Sequence, residues 1–448
     1  MIGQKPDTRK ADRALLVGIQ TPHDDPDTTR DLLTELGELV RSLDIEVAQS
    51  VQVRLRQTQA ALFVGSGKAD ELADLAKQHD ADIIVFDNPL SPAQQRNWEK
   101  RSGLCVIDRE EVILDIFARR AQTREARLQV GLARMRYSLP RLTRAWTHLS
   151  RQAGGIGGRG EGETQLEVDR RIVQKKIQRL RADLEDVRSS RATQRKQRLR
   201  IPVPVCAIVG YTNAGKSCLL RALSGADVLV EDKLFATLDP TTRRIALANG
   251  QEILISDTVG FVRRLPHHLV EAFKATLEEA TLADLIIHVL DVTNPQIFEF
   301  HRTTVDVLRE LGVDQKPAIL AFNKIDLGPP PEQLAAIRTH FDDPLFISSI
   351  TGAGLPDLLH RIAARLDLDL ATIRVHIPHD RYPMVARLHE LGKVIETEHL
   401  DDGTRLAVSL PHRHLDAFRP FLLPSPPRGG ERERPGPRTT SPTPNPHP

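Results

Sequence analysis

The N-terminal part of the chain alternates between short apolar runs and amphipathic stretches. The apolar or β-branched runs predict strands at residues 14–20, 62–65, 82–86 and 104–107. Apolar positions spaced by three and four predict helices at residues 29–43, 68–79 and 92–101. Such alternation is typical of a small layered α/β fold with a mainly parallel sheet. We therefore predict an N-terminal α/β domain over residues 1–118.

After the N-terminal domain, the apolar residues follow a heptad-like spacing in two separate stretches of the chain. The first apolar series is Leu128, Leu132, Met135, Leu139 and Leu142, and the second is Val173, Ile177, Leu180, Leu184 and Val187. Two such helices joined by a loop predict an antiparallel helical hairpin over residues 119–200, with the first helix interrupted at Pro140. The tip loop, residues 154–163, contains six glycines. A flexible turn and a loop ordered against RNA both remain open.

Proline in the segment Ile201-Pro202-Val203-Pro204 ends the hairpin, because proline stops helices. A second α/β alternation predicts a doubly wound domain over residues 203–368. Strand-like runs then predict a small α+β domain over residues 369–423. Residues 424–448 are rich in proline and poor in apolar side chains, so we predict a disordered tail and assign it no function.

The composition is that of a folded globular protein and argues against several other classes of protein. The chain has 448 residues, 40% hydrophobic and 27% charged, which excludes wholesale disorder. No apolar stretch reaches the roughly 18–20 residues that span a bilayer, and the first residues lack the apolar core of a signal peptide. Its three cysteines have no metal or disulfide spacing. We expect a cytoplasmic monomer, with partial association with the membrane surface as an alternative.

The formal net charge of +2 conceals a strong asymmetry. Residues 119–200 hold 22 Lys/Arg and 8 Asp/Glu, a net of +14, so that the other 366 residues carry −12. Basic charge concentrated on one helical segment favours a polyanionic partner such as RNA. A solvated helical face is the alternative interpretation.

A phosphate-binding motif follows the strand-like run at residues 203–209. The sequence GYTNAGKS matches GxxxxGK[ST] through Gly210, Tyr211, Thr212, Asn213, Ala214, Gly215, Lys216 and Ser217, with Cys218 next in the helix. Glycines in this motif let backbone N–H groups point at phosphate oxygens. Lys216 brings a cation to the β- and γ-phosphates, and the Ser217 hydroxyl can ligate Mg²⁺.

Further motifs follow in order along the chain. Asp257, Thr258, Val259 and Gly260 form DxxG, in which Asp257 can hold a Mg²⁺-bound water and the Gly260 N–H can meet the γ-phosphate. Asn323, Lys324, Ile325 and Asp326 form NKxD, whose carboxylate accepts from guanine but meets an acceptor in adenine. Ser348, Ser349 and Ile350 lie where a backbone amide could contact guanine O6. The ordered set predicts guanine-nucleotide binding.

A polar segment between the first two motifs predicts a first switch. It contains Phe235, Ala236, Thr237, Leu238 and Asp239. On spacing alone Thr237, Thr241 and Thr242 compete as the residue that closes on Mg²⁺. Phe261 follows Gly260 where Ras-like enzymes carry a water-orienting glutamine, so intrinsic hydrolysis should be slow and need outside help. His267 and His268 are weaker candidates for a base, since paired histidines at a helix start are usually surface residues.

The motifs resemble those of the HflX family of bacterial GTPases. The resemblance rests on GYTNAGKS, LFATLDPTTRR, DTVGFVRRLPHHLVEAFKATLEE and NKID, and outside them on LFVGSGKADEL and RLTRAWTHLSRQAGGIGGRGEGETQLEVDRR. It covers about residues 10–420. It implies Mg²⁺ ligands at Ser217 and Thr237, and catalytic roles for Lys216, Thr237, Asp257 and Gly260. It further implies binding to the large ribosomal subunit, with the glycine-rich loop near the peptidyl-transferase RNA, and dissociation of stalled or idle ribosomes.

Two positions bear on this resemblance. The family commonly has threonine where this chain has Cys218, so a hydroxyl to the α-phosphate is lost. Asn213 matches the loop asparagine of potassium-activated GTPases, and we hypothesise that K⁺ partly replaces the missing glutamine. Three alternatives stay open: an RNA-binding or RNA-remodelling protein with a slow nucleotide sensor, a ribosome-assembly GTPase, and a GTPase that works with a modifying enzyme or membrane protein.

Overall fold

The structure is a computed structural model, and it describes residues 11–22, 24–142, 161–198, 203–225, 234–235, 238–247, 251–264, 279–366 and 370–423. The chain divides into two compact units, Met1–Leu366 and Asp367–Pro448. Several predicted features lie outside the described residues: Ala236, Thr237, His267, His268, residues 154–160 of the tip loop, and the proline-rich tail.

The N-terminal layer is a four-stranded parallel sheet in the order β2-β1-β3-β4. Its strands are β1 (Arg13–Gln20), β2 (Glu46–Arg54), β3 (Ile83–Phe86) and β4 (Cys105–Asp108). Its helices are α1 (Pro26–Ser42), α2 (Ser66–Gln78), α3 (Pro92–Ser102) and α4 (Arg109–Arg120). Side chains of Asp25, Ser91 and Asp108 cap three of these helices. The predicted α/β layer is confirmed.

One strand prediction in this layer is wrong. Residues 62–65 form a turn that ends at Gly65, the N-cap of α2, whereas the unpredicted β2 pairs with β1 along its whole length. β2 is an edge strand in which only Val53 is buried, so its residues are too polar to show the apolar run of a buried strand. The fold class is unaffected, because β2 takes the place of the misassigned strand.

The predicted hairpin consists of α5 (Arg124–Ser138) and α6 (Glu161–Arg198). Leu132, Ile177 and Leu184 are buried between the helices, and their heptad neighbours Leu128, Met135, Leu139, Val173 and Leu180 pack around them. α5 ends where expected: a short 3₁₀ turn, Leu139–Arg141, contains Pro140. The two apolar series therefore form one seam, as the heptad spacing predicts.

The nucleotide domain is a six-stranded sheet in the order β10-β9-β8-β5-β7-β6, in which only β6 is antiparallel. Its strands are β5 (Val205–Gly210), β6 (Thr241–Ala246), β7 (Glu252–Asp257), β8 (Leu285–Asp291), β9 (Ala318–Asn323) and β10 (Leu345–Phe346). The helices placed in it are α7 (Lys216–Ser224), α8 (Ile297–Glu310), α9 (Pro331–His340) and α10 (Leu355–Arg365). The carboxyl ends of β5, β7 and β9 share one edge, which is where such sheets bind ligands.

The C-terminal unit is a small α+β fold, as predicted. An antiparallel sheet in the order β11-β13-β12 comprises β11 (Leu370–Pro378), β12 (Lys393–Leu400) and β13 (Gly403–Pro411), and α11 (Pro383–Leu391) packs on it. Its core includes Val375, Leu388, Leu406 and Phe418. Among the described residues of the whole chain, no helix is long and apolar enough to cross a membrane.

Candidate nucleotide-binding and hydrolysis site

Two glycines shape the loop between β5 and α7. Gly210 has φ +148°, and a Cβ there would lie 2.2 Å from the Val289 carbonyl oxygen. Gly215 has φ +93°, and a Cβ there would lie 2.2 Å from Asn323 Nδ2. Neither position can accept a side chain, because the loop backbone packs directly against β8 and β9. The loop is thus held by the neighbouring strands.

Lys216 and Ser217 begin α7 and lie beside the end of β7. The Lys216 ammonium is buried and donates to the Tyr211 carbonyl oxygen at 2.8 Å. Burial lowers the pKa of Lys216 to about 8, and the nearby charge of Asp257 opposes this shift. Ser217 Oγ donates to Asp257 Oδ2 at 2.6 Å. Hydroxyl and carboxylate oxygens suit Mg²⁺, so this pair fits the ion that P-loop GTPases generally use.

Gly260 lies directly over the phosphate loop. A Cβ at Gly260 would come within 2.9 Å of Lys216 Nζ and 2.7 Å of Thr212 Cγ2. Two backbone hydrogen bonds hold the next residue in place: Phe261 N–H donates to Gly210 O at 3.1 Å, and Thr212 N–H donates to Phe261 O at 2.8 Å. The Phe261 side chain is 1% exposed and belongs to the hydrophobic core. It therefore supplies no polar group to the site.

Asn323 connects three of the predicted segments. Its Nδ2 donates to Ala214 O at 2.9 Å, while its Oδ1 accepts from Ser349 N and Ser349 Oγ, each at 3.0 Å. Ser348 Oγ in turn accepts from Ile350 N at 3.3 Å. The NKxD motif, the phosphate loop and the Ser348–Ile350 segment are thereby brought together. Asp326 lies on a short exposed 3₁₀ turn, and the Lys324 ammonium pairs with Asp291 at 2.8 Å.

The described part of the predicted first switch contacts the N-terminal layer and the hairpin. The Phe235 ring packs edge-on against Phe117 of α4 at a centroid distance of 4.6 Å. Asp239 Oδ2 accepts from Gln122 N at 2.8 Å and Thr123 N at 3.0 Å, at the start of α5. The competing threonines Thr241 and Thr242 begin β6, where Thr242 Oγ1 lies 2.7 Å from Ser256 Oγ.

Tyr211 makes two side-chain contacts that its position in the phosphate-binding motif does not predict. Its ring stacks on Phe300 of α8 at 3.8 Å and 6°, and its hydroxyl donates to Glu35 of α1 at 2.8 Å. Glu35 also pairs with Arg263 at 3.0 Å. Sequence reasoning missed Glu35, although a carboxylate on the apolar stripe of α1, beside Leu32, Leu36 and Leu39, is the signal that could have found it.

Four family models match successive parts of the chain. They are described as GTP-binding GTPase N-terminal (residues 30–118), GTP-binding GTPase Middle Region (120–198), 50S ribosome-binding GTPase (205–324) and HflX C-terminal domain (334–418). GTPase HflX of Akkermansia muciniphila is 48% identical over 434 residues, which cover 94% of this chain and 99% of that protein. The chain belongs to the HflX family of GTPases.

A second HflX relative matches over a similar extent of the chain. GTPase HflX of Escherichia coli is 41% identical over 397 residues, 87% of this chain and 93% of that protein. A GTP-binding protein of Sulfolobus solfataricus, solved with GDP, is 23% identical with a TM-score of 0.43, and the match covers 79% of this chain and 98% of that chain. Family membership confirms the resemblance seen in the sequence, and it makes this HflX protein an enzyme that binds and hydrolyses GTP.

Proposed function

We propose that this HflX-family GTPase binds the large ribosomal subunit through its basic hairpin and dissociates stalled or idle ribosomes under stress. One observation carries the proposal. Arg170, Arg171, Lys175 and Lys176 are all exposed on α6, away from the seam that packs on α5. Such a row of cations suits the phosphates of ribosomal RNA. The tip loop at residues 154–163 would contact the RNA as well.

The nucleotide chemistry follows from the residues around the phosphate loop. Lys216, the loop amides and the Gly260 N–H would stabilise charge on the phosphates, and no covalent intermediate is needed for transfer to water. Ser217 and Thr237 would hold Mg²⁺, which neutralises the developing charge when it is bound. Asp257 would orient a water on that ion. Asp326 and the Ser348–Ile350 segment would select guanine.

GTP binding would favour the docked form of the protein, and hydrolysis would release it. The test is GTP turnover with and without purified large subunits at fixed Mg²⁺. We expect stimulation of at least about tenfold, because Phe261 stands where Ras-like enzymes carry a water-orienting glutamine. Unchanged turnover together with tight RNA binding would instead support an RNA-binding protein with a slow nucleotide sensor. Small-subunit preparations serve as the control.

The hairpin is tested by replacing Arg170, Arg171, Lys175 and Lys176 with Ala. Affinity for the large subunit should fall, and the slope of log affinity against log salt should shrink by about 3. A charge-matched control replaces Arg30, Lys77, Arg244 and Arg309, which are exposed residues in surface ion pairs of the other elements. Equal salt slopes in the two variants would contradict a hairpin contact.

A potassium ion at Asn213 is a further part of the proposal. Asn213 adopts φ +61° at the loop tip, a conformation that asparagine tolerates better than most residues. We expect basal GTP hydrolysis to be faster in K⁺ than in Na⁺ buffer at equal ionic strength, and Asn213→Ala to remove the difference. Equal rates in the two buffers would refute the role of K⁺ without affecting that of Mg²⁺.

A further inference from the structure

The first helix of the hairpin ends against the N-terminal layer in a group of buried polar contacts. We call this group the hairpin anchor, and it consists of Leu90, Gln95, Asp108, Tyr137 and Arg141. Tyr137 lies in the last turn of α5, and Arg141 ends the 3₁₀ turn that follows. The other three belong to the loop before α3, to α3 and to the end of β4. All are buried except Arg141, whose side chain is 13% exposed.

Arg141 uses every nitrogen of its guanidinium group in the hairpin anchor. Nε donates to Gln95 Oε1 at 3.0 Å, and Nη2 donates to the Leu90 carbonyl oxygen at 2.8 Å. Nη1 donates back to the Tyr137 carbonyl oxygen at 3.1 Å. The guanidinium carbon also lies 3.6 Å over the centre of the Tyr137 ring, a cation–π contact. A planar guanidinium can make these contacts together, whereas the compact ammonium of lysine cannot.

The Tyr137 hydroxyl makes a second link to the N-terminal layer. It donates to Asp108 Oδ1 at 3.0 Å. Burial raises the pKa of Tyr137, and the charge of Asp108 acts in the same direction, so the hydroxyl stays protonated and remains a donor. Asp108 Oδ2 accepts from the Leu90 N–H at 3.0 Å. The end of α5 is therefore fixed to one loop and one carboxylate of the layer by residues four positions apart.

The second helix of the hairpin depends on α5 for its direction. Among the described side chains of α6, only Ile177 and Leu184 are buried, and both lie in the seam with α5. Leu139 of the anchored turn belongs to the same seam, as does Val173 of α6. Val173 lies within the segment of four cations, residues 170–176. Because α6 has 38 residues and is about 57 Å long, a small tilt at the seam displaces its cations by several ångströms.

We propose that Arg141 is a positioning residue for RNA binding, an inference that rests on the proposed docking of the hairpin on ribosomal RNA. Arg141 and Tyr137 hold the hairpin at one angle to the N-terminal layer, so that the cations of α6 are arranged before RNA is met. A preorganised surface loses less conformational freedom on binding. If only a fraction of the molecules has the competent angle, the apparent affinity falls by that fraction. Arg141 acts through protein contacts, unlike the exposed cations of α6.

Arg141→Lys tests this role because it keeps the charge and removes the fork of donors. We expect the affinity for purified large subunits to fall about tenfold. The slope of log affinity against log salt should stay the same, because no phosphate contact is lost. Tyr137→Phe, which changes no charge, should weaken binding by about threefold, also with an unchanged slope. Arg181→Lys, the same substitution at an exposed position of α6, is the control and should bind like the unmodified protein.

A distance measurement without ribosomes tests the hairpin anchor directly. Spin labels are attached to Cys105, which is exposed on β4, and to Gln174→Cys at an exposed position of α6, in a chain that also contains Cys218→Ser. Electron–electron double resonance should give one narrow distribution of distances with the intact anchor. The distribution should broaden in Arg141→Lys and in Tyr137→Phe. Circular dichroism melts check that each variant is folded, and Tyr137→Phe serves for both measurements if Arg141→Lys does not fold.

Two results would overturn the proposal. The first is an affinity of Arg141→Lys for large subunits equal to that of the unmodified protein. The second is a loss of affinity with an equally narrow distance distribution, which would mean that Arg141 acts on RNA directly. An unmodified protein that does not bind large subunits would refute the proposed function itself. Normal binding by the unmodified protein together with unchanged binding by Arg141→Lys would refute only the role of Arg141.

Discussion

At the scale of single residues, His288 shows how strongly this fold perturbs a titrating group. It lies on the central strand β8, 2% exposed, with its ring stacked on His301 at 5.2 Å. Among the described residues its Nε2 has no hydrogen-bond partner. Burial lowers the pKa of His288 to about 3, and the charges of His301 and Lys216 act in the same direction. The folded protein therefore keeps His288 neutral.

This shift predicts acid sensitivity. Between the ordinary pKa of 6.5 and the folded value of about 3, only the unfolded chain binds this proton, so stability falls as pH falls. His288→Leu should reduce the slope of unfolding free energy against pH by about 1.4 kcal/mol per unit below pH 6.5. Urea midpoints measured at several pH values test this. A slope in His288→Leu equal to that of the unmodified protein would contradict the assignment.

Residue identities in the nucleotide site could be predicted from sequence because the motif spacing is itself a geometric requirement. Gly210 and Gly215 stand where no Cβ fits, and the Ser217 hydroxyl donates to Asp257 Oδ2 at 2.6 Å. The hydrogen bond from the Tyr211 hydroxyl to Glu35 of the N-terminal layer could not be predicted. Its partner Glu35 lies 176 positions earlier in the chain, and no local spacing relates the two residues.

At the scale of elements, the hairpin seam contains a position that can be improved. Gly131 lies on α5, and a Cβ there would sit 3.8 Å from Leu180 of α6, an ordinary packing distance. Glycine inside a helix costs about 1 kcal/mol relative to alanine because it loses more backbone entropy on folding. The seam therefore has room for a methyl group and would gain helix propensity from it.

Gly131→Ala should raise the stability of the hairpin by about 1 kcal/mol. Hydrogen exchange of α5 and α6 amides measures the change within these elements. Ala182→Gly, at an exposed position of α6, is the reverse control and should lower protection by a comparable amount. Loss of protection in Gly131→Ala would show that the helices cannot accept a side chain at this contact.

Elements that bury one face were predictable, and the polar edge strand β2 was not. The period of α1 and the heptads of α5 and α6 reflect burial along one stripe, so the sequence shows them. β2 exposes most of its residues at the edge of the sheet and carries a weak pattern. Only its pairing with β1 identifies it as a strand.

At the scale of the whole molecule, Asp239 connects the nucleotide domain to the basic hairpin. Its carboxylate accepts from the backbone N–H groups of Gln122 and Thr123 at the start of α5. An anion at a helix N-terminus also interacts favourably with the helix dipole. Asp239 lies two residues after Thr237 in the chain. The link therefore places the predicted first switch next to the base of the hairpin.

Asp239→Asn should loosen the start of α5 without unfolding the nucleotide domain. Because asparagine keeps an acceptor oxygen but loses the negative charge, the two contacts should weaken and amide exchange at Gln122 and Thr123 should become about tenfold faster. Hydrogen exchange followed by mass spectrometry resolves this segment from the rest of the chain. Asp342→Asn, an exposed carboxylate in a distant loop, is the matched control. Unchanged amide exchange at the start of α5 would show that Asp239 does not stabilise this segment.

The sequence by itself determined the fold class, the order of the guanine-nucleotide motifs and the location of the basic charge. Each of these is a local property, set by periodicity, by loop geometry or by the count of charges in one segment. Only the tertiary structure decided which residues join the domains. Glu35 with Tyr211 and Arg263, and Asp239 with Thr123, are contacts between residues more than 100 positions apart. Such pairs depend on how separate elements pack against each other. No local spacing in the amino-acid sequence relates the two residues of a pair.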